Sequence, residues 1–138
     1  MLEALRLSKQ ALPSCRPNPP VGCVLVHNQQ IISSGFTQQP GAMHAEAQAL
    51  AKLQLPLEEV SAYVTLEPCS FVGRTPACAQ SLIDSNIARV VIAILDPDPR
   101  NSGAGLAMLE AAGIETTLGV CASQVQSFLS RYLLTQDS

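Results

Sequence analysis

Two segments, Ala62-Tyr63-Val64-Thr65-Leu66 and Arg89-Val90-Val91-Ile92-Ala93-Ile94, are nearly all apolar. Each has the length of a strand rather than of a helix. A strand that is apolar along both faces is typical of a parallel sheet buried between helices. The two segments therefore predict a sheet with a helical layer on each side.

Weaker patterns complete the order of elements around these two strands. Apolar residues at helical spacing predict helices over 2–12, 43–54, 76–85 and 103–112, and a last helix striped by Val125, Phe128, Leu129, Tyr132 and Leu133. A proline-rich loop over 13–20 precedes a hairpin with strands 21–26 and 31–36, and a final strand covers 114–119. This order predicts a three-layer α/β/α sandwich around a five-stranded mixed sheet.

Length and composition favour one domain that acts on small molecules. The chain has 138 residues, 47% of them hydrophobic, which is enough for a single core, so we expect one domain over 1–138. A net charge of −3 and the lack of Trp argue against nucleic acid as a partner. No apolar run approaches the ~18 residues of a membrane span, and an odd count of five cysteines disfavours a disulfide framework. We therefore expect a cytoplasmic protein.

A short motif carries the chemistry. His44, Cys69 and Cys78 supply three ligands of the kind that zinc prefers, and three protein ligands leave a fourth tetrahedral position open. Glu46 lies two residues after His44, about 200° away around a helix, so it is better suited to moving a proton than to sharing the metal. The pattern H-x-E…P-C-x(n)-C is the signature of zinc deaminases of cytosine- and adenine-like rings.

The predicted elements place these residues together. His44 opens one helix, Cys69 follows a strand, and Cys78 lies in the first turn of the helix behind Pro76. Taken singly, such a His is more often a cap and such a Cys more often a core residue, but their joint occurrence in this order favours a catalytic site. We expect one Zn²⁺ per chain at the carboxyl edge of the sheet.

Several blocks of sequence resemble the deaminase domain of the bifunctional riboflavin-biosynthesis pyrimidine deaminase/reductase family. The blocks are Asn18-Pro19-Pro20-Val21-Gly22-Cys23-Val24, His44-Ala45-Glu46, Tyr63-Val64-Thr65-Leu66-Glu67-Pro68-Cys69-Ser70, Gly73-Arg74-Thr75-Pro76-Ala77-Cys78 and Asp96-Pro97. The resemblance implies a cytidine-deaminase-like fold, and removal of the exocyclic amine of a diaminopyrimidinone that carries a ribosyl phosphate.

The resemblance also implies roles for residues around the substrate. It assigns Asn18 to the ribose or ring, Arg74 to the phosphate and Asp96 to the pocket wall, with Ser70 beside the metal ligand. The alternatives stay open: Asn18 as a turn amide, Arg74 as a solvated loop charge, and Asp96 as part of the turn before a helix.

This chain departs from the family pattern at three positions. Thr37 and Phe71 stand where the family usually has His, and Asp98 stands where it commonly has Asn. We expect all three to lie beside the substrate, where Asp98 would disfavour a phosphate because like charges repel in a confined site. The departures suggest a changed substrate more than a loss of catalysis.

The sequence thus predicts a stand-alone zinc hydrolase that deaminates a heterocyclic amine, most simply the riboflavin-pathway aminopyrimidine or a close analogue. The alternatives are a free-base or nucleoside deaminase outside riboflavin synthesis, and a catalytically silent zinc-binding module. Nucleic-acid editing is less favoured by the acidic charge balance. No reductase domain is expected, because Gly103-Ala104-Gly105 lacks the spacing of a nucleotide-binding fingerprint. The resemblance further implies a homodimer or tetramer.

Overall fold

A computed structural model describes residues 1–54, 57–72 and 76–133 of the chain. Its helices are α1 (Leu2–Gln10), α2 (Ala45–Ala51), α3 (Cys78–Asp84), α4 (Ala104–Ala111) and α5 (Ala122–Leu129). Its strands are β1 (Gly22–His27), β2 (Gln30–Phe36), β3 (Ser61–Leu66), β4 (Arg89–Ile94) and β5 (Glu115–Leu118).

The strands form one mixed sheet in the order β2-β1-β3-β4-β5. β1 is antiparallel to both β2 and β3, whereas β3, β4 and β5 run parallel. The two apolar segments are the third and fourth strands in this order, and Val64, Val90 and Ile92 within them are fully buried. The predicted five-stranded mixed sheet is confirmed.

Helices cover both faces of the sheet. On one face, Ala49 of α2, Leu82 of α3 and Leu109 of α4 pack with strand residues such as Leu25 and Ile92. On the other face, Leu5 and Ala4 of α1 and Val125 and Leu129 of α5 pack against the opposite side chains of the strands. This alternation along each strand produces the predicted three-layer α/β/α sandwich.

The helices are shorter than their patterns predicted. The first ends at Gln10 rather than 12 and continues as turns, and the second covers Ala45–Ala51 rather than 43–54. Apolar side chains outside a helix still pack on the core, as partly buried Leu53 does, so periodicity overestimates helix length. Among the described residues, no helix is long and apolar enough to cross a membrane.

Candidate active site and metal centre

Four chain segments meet at one edge of the sheet. β3 and β4 are parallel, so the segments after Leu66 and after Ile94 leave the sheet at the same edge. β1 is antiparallel to β3 and pairs Gly22 with Phe36, so the segments that enter β1 and leave β2 lie at this edge too. The predicted location of the site, at the carboxyl ends of the parallel strands, agrees with this topology.

The three predicted metal ligands converge here. His44 is the residue before α2, Cys69 lies three residues beyond β3, and Cys78 is the first residue of α3. His44 Nδ1 lies 3.2 Å from Cys78 Sγ and 3.8 Å from Cys69 Sγ. One ligand atom from each residue lies within 4.8 Å of the other two.

This triangle has the dimensions that zinc requires. Zn–S bonds of ~2.3 Å and Zn–N bonds of ~2.0 Å in a tetrahedron separate neighbouring ligand atoms by ~3.6 Å. The separations of His44 Nδ1 from the two sulfur atoms, 3.2 and 3.8 Å, bracket this value. Two sulfur donors and one imidazole are also the donor set of zinc deaminases. The residues therefore fit a zinc ion.

The two thiols differ in their protonation. A hydrogen bond from the Cys78 thiol lowers the pKa of Cys69 to about 4, and His44 and the Cys78 backbone N–H add to this effect. The same hydrogen bond, together with burial, raises the pKa of Cys78. Cys69 is thus prepared as a thiolate, the form that binds metal, and metal binding would have to release the proton of Cys78.

Glu46 is buried next to this triangle. Its side chain belongs to the first turn of α2, and the residue is only 4% exposed. Burial and the nearby charge of Cys69 raise the pKa of Glu46 to about 7. A carboxyl group with a pKa near neutrality can both accept and return a proton, which is what a proton shuttle requires.

Contacts between α2 and β2 fix the position of His44 and Glu46. A Cβ on Gly35 would overlap the carbonyl oxygen of Ala45, so only glycine lets the helix start approach the strand this closely. The Ser33 hydroxyl donates to the Ala49 carbonyl at 2.7 Å, and the Phe36 N–H donates to Gln48 Oε1 at 2.8 Å. The helix is thereby held at both ends of its contact with β2.

His44 and Cys69 line a cavity of about 470 Å³, within the usual range for small-molecule sites. Five of the seven predicted substrate-side residues line it: Asn18, Thr37, Phe71, Asp96 and Asp98. Ser70 is half-buried beside Cys69 but is not among the described residues that line the cavity. Arg74 lies outside the described residues. Their contact with substrate stays a prediction.

Thr37 connects two segments of the cavity wall through hydrogen bonds. Its hydroxyl oxygen accepts a hydrogen bond from the Val21 N–H at 2.9 Å and lies 3.2 Å from the Pro19 carbonyl oxygen. These contacts tie the end of β2 to the proline-rich segment that carries Asn18. Thr37 therefore shapes the cavity wall through its contacts with Val21 and Pro19.

Sequence reasoning overlooked Glu67, which is 3% exposed and also lines the cavity. Its carboxylate accepts hydrogen bonds from the backbone N–H groups of Asp96 at 3.1 Å, Gly103 at 3.0 Å and Leu106 at 2.9 Å. Glu67 thus caps the start of α4 and fixes the loop of residues 95–103 at the cavity. An acidic residue directly after an apolar strand was the available signal.

Arg100 was overlooked as well, although it lines the cavity. Its guanidinium pairs with the Asp98 carboxylate at 2.6 Å and lies 4.4 Å from the centre of the Phe71 ring. The ion pair lowers the pKa of Asp98. The negative charge expected on this wall is therefore balanced by a neighbouring cation. The short spacing between Asp98 and Arg100 could have indicated their ion pair. Nothing in the sequence indicated that Phe71 would contact Arg100.

Comparison with known proteins gives consistent matches. Residues 1–94 match the cytidine and deoxycytidylate deaminase zinc-binding region. The riboflavin biosynthesis protein RibD of Haemophilus influenzae is 43% identical over 96% of this chain and 36% of its own length. The diaminohydroxyphosphoribosylamino-pyrimidine deaminase of Buchnera aphidicola (Schizaphis graminum) is 39% identical over 93% of this chain and 87% of its own.

A solved structure shares the fold. RibD of Acinetobacter baumannii superposes with a TM-score of 0.91 at 41% sequence identity, over 96% of this chain and 37% of that protein. The chain spans about a third of the length of the RibD relatives that it matches.

Proposed function

Because the chain belongs to the cytidine and deoxycytidylate deaminase zinc-binding family, we propose that it hydrolytically removes an exocyclic amine from a pyrimidine-type ring. The proposed substrate is the diaminohydroxyphosphoribosylaminopyrimidine for which the Buchnera relative is named. The observation that carries the proposal is the convergence of His44, Cys69 and Cys78 within 4.8 Å, beside a cavity that His44, Cys69 and buried Glu46 line.

His44, Cys69 and Cys78 would hold the zinc ion. When bound, zinc supplies a Lewis acid that lets water act as a nucleophile near neutral pH. Glu46 takes a proton from the attacking water and later delivers it to the departing amine. A bond forms between the water oxygen and the ring carbon, the bond from that carbon to the exocyclic nitrogen breaks, and this nitrogen leaves as ammonia. Because Glu46 is only 4% exposed, bulk water has little access to this proton.

Ammonia release by the zinc-loaded protein tests this proposal. The substrates are the phosphoribosylated diaminopyrimidinone, its dephosphorylated form, cytosine, cytidine and guanine. Glu46→Gln keeps the shape of the side chain but cannot take up a proton, so turnover should fall by at least ~10³-fold while zinc stays bound. Glu59→Gln, which alters a side chain that is 82% exposed, is the matched control. Undiminished ammonia release by Glu46→Gln would refute the assigned role.

One alternative keeps support from the cavity wall. A free-base or nucleoside deaminase would suit the aromatic Phe71 and the extra carboxylate of Asp98. Arg100 weighs against it, because the ion pair balances that carboxylate. A clear preference for unphosphorylated rings in the same panel would favour the alternative. A silent zinc-binding module would bind zinc and release no ammonia from any of these rings.

We also propose that the protein self-associates as a homodimer or tetramer and acts in the cytoplasm. Exposed Ile31 and Ile32 on the edge strand β2 support self-association, because apolar side chains on an open sheet edge favour contact with another chain. Light scattering during size-exclusion chromatography measures the assembly, and a monomer at micromolar concentration would contradict it. That the chain works as a single deaminase domain over 1–138 stays a prediction.

A further inference from the structure

Arg100 is distinguished by its charge. Among the described residues that line the cavity, it is the only lysine or arginine, whereas Glu46, Glu67, Asp96 and Asp98 are acidic. A substrate with an anionic substituent needs a cation to offset such surroundings. Within the described part of the chain, Arg100 is the side chain that can supply it.

The guanidinium is held rather than free. Arg100 Nε lies 3.2 Å from both oxygens of Asp98, and Nη2 donates to Asp98 Oδ2 at 2.6 Å. The Asp98 side chain is only 17% exposed, and its Oδ1 also accepts the Arg100 backbone N–H at 3.0 Å. The Phe71 ring lies against the guanidinium at 4.4 Å. A side chain fixed in this way loses little conformational freedom when it binds a ligand.

The fixed guanidinium keeps donors for a ligand. Asp98 occupies the Nε and Nη2 edge, and no described residue accepts a hydrogen bond from Nη1. Nη1 and the second N–H of Nη2 can therefore donate to two oxygens of one phosphate, the bidentate geometry that arginine favours. With 66% of its side chain exposed, Arg100 is also accessible from solvent.

The position suits a substituent rather than the reacting ring. Phe71 follows the metal ligand Cys69 by two residues, which separates their Cα atoms by at most ~7 Å. The residue whose ring stacks on Arg100 thus lies close in the chain to a metal ligand, and both line the same cavity. A ribosyl phosphate attached to a ring at that centre can reach this wall of the same cavity.

We propose that Arg100, held by Asp98 and Phe71, binds the phosphate of the substrate and gives the enzyme its preference for phosphorylated rings. This inference rests on the proposed deaminase function and adds the residue that selects among its substrates. It also gives Asp98 and Phe71 a role, because together they orient the arginine.

Kinetics with paired substrates test the inference. For Arg100→Ala, the kcat/KM for the phosphoribosylated substrate relative to its dephosphorylated form should fall about 10- to 100-fold, the usual cost of losing a charge-assisted bidentate contact. The loss should appear in KM rather than in kcat, because the phosphate is remote from the bond that breaks. Arg100→Lys keeps the charge without the fork, so it should lose part of this preference.

Arg89→Ala is the matched control, because Arg89 pairs with Glu115 on the surface and is not among the described residues that line the cavity. A loss of equal size for both substrates would make Arg100 a structural residue and overturn the inference. An unchanged ratio would overturn it too. Arg74→Ala is measured alongside, and a phosphate preference that depends on Arg74 alone would also contradict it.

A binding measurement separates this inference from the proposed reaction. Calorimetric titration of ribose 5-phosphate, with ribose as the reference, should show at least ~10-fold weaker binding to Arg100→Ala than to wild type and Arg89→Ala. If the wild type released no ammonia but showed this pattern, the proposed function would fail while the phosphate site stood. Equal binding of ribose 5-phosphate by wild type and Arg100→Ala would refute the site.

Discussion

Replacing Glu67 with Gln should uncap α4 with little change in side-chain volume. The Glu67 carboxylate uses Oε1 to accept the N–H groups of Asp96 and Gly103, and Oε2 to accept that of Leu106. Gln offers one oxygen and one NH₂ group. If its oxygen keeps the Asp96 and Gly103 bonds, its NH₂ group faces the Leu106 N–H, and two donors then oppose each other.

The loss of stability in Glu67→Gln can be worked out from the hydrogen bonds that the side chain would lose. One hydrogen bond to a charged group is lost at a residue that is 3% exposed, which costs about 1.5–3 kcal/mol. Loss of a negative charge at a helix start adds about 0.3–1 kcal/mol, while the neutral amide is easier to bury than the carboxylate. We therefore expect the free energy of unfolding to fall by about 2 kcal/mol.

Urea unfolding measures this change. With a slope of about 1.5–2 kcal/mol per M, the midpoint should move down by about 1 M. Free zinc must be held equal for all variants, because bound metal adds to apparent stability. Glu110→Gln is the matched control, since Glu110 is exposed near the carboxyl end of the same helix. A shift of less than ~0.5 kcal/mol in Glu67→Gln would refute the cap as a source of stability.

Two further substitutions test the packing of α4 beside the site and the predicted metal ligand Cys78. A Cβ at position 105 would overlap the carbonyl oxygen of Pro68. Gly105→Ala should therefore lower the free energy of unfolding by about 1–3 kcal/mol in urea unfolding. If the variant unfolded at the wild-type midpoint, the close approach of α4 to Pro68 would be contradicted. Cys78→Ser should reduce bound zinc well below one ion per chain in a metal assay and lower the melting temperature of the zinc-loaded protein. Cys121→Ser, outside the cavity lining, is its control, and full zinc occupancy in Cys78→Ser would remove Cys78 from the ligand set.

Local patterns were sufficient for most of the fold. The segments 62–66 and 89–94 are β3 and β4 to within one residue, because a strand buried on both faces leaves an unbroken apolar run. The hairpin and the helices followed from alternation and periodicity. The ends of helices were less accurate, because residues such as Leu53 pack on the core from a turn.

The candidate site, too, could be predicted only in part from the sequence. The convergence of His44, Cys69 and Cys78 could be predicted because zinc chemistry restricts ligands to few residue types and the motif has a recognisable order. The wall could be predicted only in part. Asn18, Thr37, Phe71, Asp96 and Asp98 line the cavity as the resemblance implied, but Ser70 does not, and nothing local marked Arg100 as the partner of Phe71.

The sequence by itself determined the order of strands and helices and predicted a ligand set and a proton shuttle, because each depends on residue type and short spacing. Only the tertiary structure decided how distant segments cooperate. Glu67 caps a helix whose N-cap residue, Gly103, lies 36 residues away, and Arg100 stacks on a ring 29 positions earlier in the chain. Such contacts arise because parallel strands bring their carboxyl ends to one edge of the sheet. At that edge, residues far apart in the sequence form hydrogen bonds and contacts between a cation and an aromatic ring. No periodic pattern in the sequence links such residues, so it cannot predict these contacts.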